Sequence, residues 1–324
     1  MADDIQTQLD KYLTDAHSIE EQALAQLRSA PEIAKDPELE RVFSEHLTET
    51  EEQERLVRER IEALDESPSR IKDAIMAAGG KGFVLFARSQ PDTPGKLVAH
   101  AYSYEHLELG GYELLRRVAE RASDEETADV ARRIAAEEQQ MAGRLAANFD
   151  RAVEASLRHL SPDDMERQLV KYLADAHAIE QQATQLLERG PKIAGDPELA
   201  HLYGEHLEET REHSRLIEER LKAHDAGPNP IKDAAMRLGA LNWGMFFQAQ
   251  PDTPGKLACF AFAFEHLEIG GYEQLKRVAD RAGDTDTSNV VNRILAEERE
   301  AAKKIAGAFD RATQASLEAV GATA

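Results

Sequence analysis

The chain has 324 residues, 42% hydrophobic and 31% charged, so it can fill a core and is not a disordered acidic tail. Its formal net charge of −22 is spread along the sequence, and without a basic patch it is a poor match for nucleic-acid phosphates. The single cysteine, Cys259, excludes an internal disulfide and Cys-rich zinc or iron–sulfur sites. With no signal-like N-terminus and no membrane-length apolar run, the expectation is a soluble cytoplasmic protein.

The sequence repeats itself. Shifted by 160 positions it aligns without a gap, matching Lys11-Tyr12-Leu13 to Lys171-Tyr172-Leu173 and Glu105-His106-Leu107-Glu108 to Glu265-His266-Leu267-Glu268. About half of the paired positions are identical. Such a unit is too long for a solenoid repeat and suits a whole domain, giving domains at 1–160 and 161–324. The boundary, Ser161-Pro162-Asp163-Asp164, reads as an N-cap, a first-turn proline and first-turn acids.

Within unit one, Ile5, Leu9, Tyr12, Leu13, Ala16, Ala23, Leu24 and Leu27 share one face of a first helix. Asp36-Pro37-Glu38 opens a second helix, with Leu39, Val42, Phe43, Leu47, Leu56 and Val57 as its stripe. A third opens at Thr93-Pro94 and carries Leu97, Ala101, Leu109, Tyr112 and Leu115. A fourth opens at Ser123-Asp124 and runs on through Met141, Leu145, Phe149 and Val153. Short connections make helical hairpins of the first and second pairs. Between the hairpins lies a long crossover with an amphipathic piece at 71–78 and the apolar run Phe83-Val84-Leu85-Phe86. The predicted fold is all-α: two ferritin-like four-helix bundles in tandem, each built of two hairpins with one long crossover. The crossovers, including Trp243-Gly244-Met245-Phe246-Phe247, are too apolar to stay exposed. They are expected either to pair the units as an intramolecular pseudo-dimer or to cover their own bundles.

Acids on the apolar stripe are the exception that needs explaining. At about 100° per residue, Glu20, Glu105, Glu108 and Glu138 fall on or near the inward face of their helices. On the second helix His46 and Gln53 lie at the stripe centre with Glu49 beside them. Measured from the hairpin turns, these groups sit at matching depths, roughly 20–24 Å along each helix. Several buried carboxylates at one level repel and are poorly solvated, unless protons or cations neutralise them. A pair of metal ions per unit is the economical neutraliser, and carboxylate with imidazole suits iron or manganese. The same pattern recurs at Glu180, His206, Glu209, Glu265, Glu268 and Glu298. His46 and His206 read either as ligands or as hydrogen-bond partners of ligands. Tyr112 and Tyr272 face the core with their hydroxyls near ligand carboxylates, His17 and His177 lie off the stripe, and His106 and His266 are expected in solvent. The copies differ at one inward position, Gln53 against His213. His213 reads either as an extra imidazole ligand, making the unit-two site more complete, or as a hydrogen-bond partner of a ligand.

Four segments carry a family resemblance: residues 15–22, 46–50, Glu105-His106-Leu107-Glu108-Leu109-Gly110-Gly111-Tyr112, and Ala136-Glu137-Glu138. In them the sequence resembles the YciF-type ferritin-like stress proteins, related to rubrerythrins and manganese catalases. The resemblance implies a dinuclear metal centre and a role linked to oxidative or other stress. Departures accompany it: ferritin-like sites pair Glu with His three residues later, whereas Glu52, Met141, Glu212 and Ala301 stand there. The expectation is a dimetal carboxylate protein, with Glu49 and Glu108 bridging, Glu20 and Glu138 terminal, and Glu105 a mobile extra ligand. Its chemistry would be peroxidase- or oxidase-like, acting on O2 or peroxide. A non-enzymatic metal-binding or structural stress protein is the alternative, and a metal-free acidic scaffold would leave the inward carboxylates unexplained.

Overall fold

The computed structural model describes residues 4–64, 93–161, 164–228 and 252–322. All regular secondary structure among the described residues is helical, in two units that divide between Arg158 and His159. No helix among them is long and apolar enough to cross a membrane. The amphipathic piece expected at 71–78 and the apolar runs at 83–86 and 243–247, on which the expected pairing of the units rests, lie outside the described residues.

Unit one contains α1 (Ile5–Leu27), a short α2 (Ala30–Ala34), α3 (Pro37–Ala63), α4 (Thr93–Arg121), α5 (Glu125–Ala147) and α6 (Phe149–Leu157). Unit two repeats them as α7 (Met165–Leu187), α8 (Gly190–Ile193), α9 (Pro197–Ala223), α10 (Thr253–Ala282), α11 (Thr285–Gly307) and α12 (Phe309–Val320). Short acidic side chains start three of the long helices in unit one by accepting from their free amides. Asp4 takes Thr7 N (2.7 Å), Asp36 takes Glu38 N and Leu39 N (3.1 and 3.3 Å), and Asp124 takes Thr127 N (3.0 Å). The turn into α3 needs one left-handed residue, which is Lys35 (φ 52°) in unit one and Gly195 (φ 69°) in unit two.

In unit one, α1 packs against α3 and α4, and α5 packs against the same two helices. The corresponding pairs meet in unit two. The interior is apolar at both ends. Leu9, Leu13, Val57, Ile61, Leu115, Val118 and Ile134 fill one end, while Leu39, Phe43, Leu97, Val98, Met141 and Leu145 fill the other. Between these layers, at the same depth on all four long helices, lie Glu20, His46, Glu105, Glu108 and Glu138, all buried.

Two expectations are corrected together. The fourth helix was expected to run through Val153, but it breaks at Asn148 (φ −104°, ψ 6°), and α6 folds back against α4. Phe149 then meets the edge of Tyr102, which in turn lies against the His106 ring, with centroid distances of 5.4 and 4.6 Å. His106 is thereby 4% exposed, and its Nδ1 donates to the Tyr102 carbonyl (2.7 Å). Phe309 and Phe262 bury His266 in the same way. Both histidines are therefore interior residues, and neither reaches solvent as the helical stripe implied. A periodicity argument treats a helix as having one covered face and cannot see a second helix returning over the other.

Arg60 of α3 ties the start of α5 down. Its Nη2 lies 3.2 Å from the Asp124 carboxylate and its Nε donates to Thr127 Oγ1 (3.1 Å). Asp124 thus caps a helix and neutralises a half-buried cation at once. Asp124→Ala is expected to lower the stability of unit one by about 2 kcal/mol, read as a shift of its urea midpoint. Asp284→Ala, whose side chain holds Thr287 and Arg220 in the same way and also meets His224 Nε2 (2.7 Å), should lower unit two by at least as much.

Candidate metal centre

The fold positions the inward polar residues by helix spacing. Glu105 and Glu108 are three apart on α4 and so point the same way, while His46 comes from α3 and Glu138 from α5. One donor atom from each of these four lies within 4.8 Å of the others. Glu20 approaches from α1, its Oε1 accepting from the Tyr112 hydroxyl. In unit two His206, Glu265, Glu268 and Glu298 converge likewise, and Tyr272 donates to Glu180.

The donors converge without pairing. Both oxygens of Glu108 and Glu138, and one each of Glu20 and Glu105, are buried with no hydrogen-bond partner; unit two matches. His46 Nε2 lies 3.2 Å from Glu105 Oε2 and 3.8 Å from Glu138 Oε2 without forming a hydrogen bond to either. Buried polar atoms are nearly always satisfied, so a cluster of acceptors aimed at a common point could hold a cation. Oxygen donors with one imidazole fit iron or manganese.

Protonation follows from the same crowding. Burial raises Glu20 and Glu180 to about 8, and Glu265 to about 7. Burial and the neighbouring carboxylates hold Glu108, Glu138 and Glu268 well above the usual range. Burial, the largest single effect, would lower His46, but Glu105 and Glu49 together outweigh it and raise the ring to about 9. Glu298, the counterpart of Glu138, goes the other way and is lowered, because burial is outweighed by His213 and His206 together.

Glu49 and Glu209 stand apart from the converging donors. Glu49 is 39% exposed in its side chain, bonds Nδ1 of His46 (3.2 Å) and pairs with Arg144. Those two contacts pull its carboxyl down to about 2. Glu209 holds Nδ1 of His206 in the same way (3.1 Å). Each therefore sits on the outer side of its imidazole, turning Nε2 toward the inner carboxylates. His213 does join the unit-two cluster. Its Nδ1 lies 2.8 Å from Glu298 Oε1, while its Nε2 donates to Glu297 (2.7 Å). Gln53 in unit one donates instead to Glu137 (3.2 Å). His17 is turned away to Glu54 (3.1 Å), forming a separate half-buried group with Glu21, and His177 is turned to Glu218 (3.3 Å).

Sequence reasoning missed Tyr203. Its hydroxyl is buried without a hydrogen-bond partner, and the charge of Glu265 adds to the effect of burial in raising it. The signal was present as a Phe43-to-Tyr203 difference between the copies, but an aromatic on an apolar stripe reads as packing.

The sequence profile of DUF892, a domain of unknown function, matches twice in tandem, at residues 4–158 and 164–318. The chain belongs to the DUF892 family. Each DUF892 copy contains one complete set of converging donors, so the cluster is a property of the single domain and of its duplication. No solved structure matches the chain.

The protonation pattern has a measurable consequence for the metal-free protein. Glu20 and Glu180 ionise near 4.5 when unfolded and near 8 when folded, so the folded state holds protons that the unfolded chain has released. Their contribution is complete below pH 4.5 and is lost as pH rises through 8; that of His46 is lost between 6.5 and about 9. Chelator-treated protein is therefore expected to melt roughly 5 °C or more lower at pH 8 than at pH 5.5. Added metal should reduce or reverse that trend. A flat profile without metal would contradict the buried-cluster electrostatics.

Proposed function

We propose that each unit is a ferritin-like four-helix bundle holding iron or manganese, and that the protein is a cytoplasmic stress-response oxidoreductase reducing peroxide or dioxygen. One observation carries the reading: in each unit three buried carboxylates and an imidazole converge, and every one of those carboxylates has at least one oxygen without a hydrogen-bond partner. The pairwise packing of α1, α3, α4 and α5 supports the bundle, as does the resemblance of residues 105–112 to YciF-type ferritin-like stress proteins.

Glu20, Glu105, Glu108, Glu138 and His46 would hold the metal in unit one, and their counterparts in unit two. Bound iron or manganese supplies one-electron cycling against an oxygen-derived oxidant. The chain's own residues do the rest. Glu49 and Glu209 orient the imidazoles from outside, as carboxylates commonly do for a metal-binding histidine. Tyr112 and Tyr272 keep a proton next to Glu20 and Glu180, available when charge changes in the centre. A narrow pocket between α1 and α4, bordered by Leu27, Leu97 and Ala101 and reaching Glu105 and His46, gives a small oxidant a route. In unit two the matching pocket, with Leu187, Phe260 and Phe264, ends at Glu265.

A non-enzymatic metal-binding role uses the same donors and is separated by turnover. Elemental analysis of chelator-free preparations, followed by peroxide consumption with an added electron donor, tests the reading. Glu108→Met with Glu268→Met is expected to abolish both metal content and metal-dependent turnover. The metal-free double variant should also be more stable than metal-free wild type, by about 1–4 kcal/mol, because buried acid has been replaced by apolar bulk. Wild-type protein that binds neither metal would sink the proposal.

A further inference from the structure

The two units differ at the one point where a second metal ion would need a ligand. In unit two the donors form two overlapping sets: His206, Glu265, Glu268 and Glu298, and Glu180, His213 and Glu298. Glu298 belongs to both, and its two oxygens face different rings. Oε2 lies 3.8 Å from His206 Nε2, and Oε1 lies 2.8 Å from His213 Nδ1. A carboxylate with one oxygen directed to each of two donor sets has the disposition of a bridge between two ions. Each ring is also fixed from behind by an acid: Glu209 holds Nδ1 of His206 and Glu297 holds Nε2 of His213. With a metal bound, that contact would hold the ring's remaining proton on the outer nitrogen and leave the inner nitrogen to coordinate.

Unit one keeps only the first set, His46, Glu105, Glu108 and Glu138. Glu138 Oε2 faces His46 at 3.8 Å, as in unit two, but no imidazole stands on its other side. Gln53 occupies that place, with its amide nitrogen committed to Glu137 and its neutral Oε1 left as a buried acceptor. A second ion there would have two charged donors, Glu20 and Glu138, and an amide oxygen, which is a much weaker ligand for iron or manganese than imidazole.

We propose that the units are loaded unequally: unit two holds a two-metal centre bridged by Glu298, unit one holds a single ion, and His213 makes the difference. The inference rests on the metal-centre reading above and deepens it.

The test uses the full chain, stripped with chelator and titrated with Mn(II), and with Fe(II) under anaerobic conditions, by calorimetry and electron paramagnetic resonance. Wild type is expected to take up about three ions per chain, one pair of which is exchange-coupled through the shared carboxylate. His213→Gln should take up about two with no coupled signal, and Gln53→His about four with twice the coupled signal. The second variant carries the test alone if the first fails to fold. Equal loading of the two units in wild type, at two or four ions in all, would overturn the proposal, as would a coupled signal that survives His213→Gln. Both outcomes leave the metal-centre reading intact, whereas no uptake by any variant would overturn the metal-centre reading itself.

Discussion

Four carboxyl groups share a dry layer in the middle of each unit, and most of the architecture follows from that layer. Removing an ionised carboxylate from water costs several kcal/mol, and placing several together adds repulsion. The chain meets this cost by binding protons and by recruiting His46 and His206 as internal cations, and it still leaves several carboxylate oxygens without a hydrogen-bond partner. Apolar layers on both sides bury the cluster and so lower the local dielectric, which makes it responsive to charge.

The imidazoles sit between an inner and an outer shell of acid. Glu49 and Glu209 are stabilised as anions by contact with solvent, the ring and, in unit one, Arg144. The inner acids are pushed the other way by burial. Opposite environments on the two edges of one ring fix its orientation, and this explains why a glutamate on the rim of the apolar stripe belongs to the centre without facing it. Its place in sequence suggested a bridging ligand; its surroundings set it behind the ring, against His46 Nδ1 and Arg144.

Duplication has preserved the layer and let its edges diverge. Glu20, Glu105, Glu108 and Glu138 all recur 160 residues on, whereas Gln53 becomes His213, Phe43 becomes Tyr203, and His100 and Tyr104 become Phe260 and Phe264. The last two changes make the pocket leading to Glu265 more apolar than the one leading to Glu105. The first two bring an imidazole and a hydroxyl to the unit-two cluster. All four lie beside the conserved donors, so the copies can differ in chemistry without repacking their cores.

By itself the sequence determined the repeat, the helical content, the caps at Asp36 and Asp124, and the inward direction of Glu20, His46, Gln53, Glu105, Glu108 and Glu138. These depend on local rules: 3.6 residues per turn fixes a side chain's direction, and a cap is decided within four residues. Glu137 and Glu138 are adjacent, and of the two only Glu138, which the helical stripe directs inward, is fully buried. Other features depended on partners distant in sequence. Arg144 draws Glu49 outward across 95 residues, α6 returns over α4 to bury His106, and Glu297 turns His213 so that its other nitrogen meets Glu298 across 84. Direction is a property of one helix, but which atoms meet is settled only when four helices pack, and that meeting is what the tertiary structure decided.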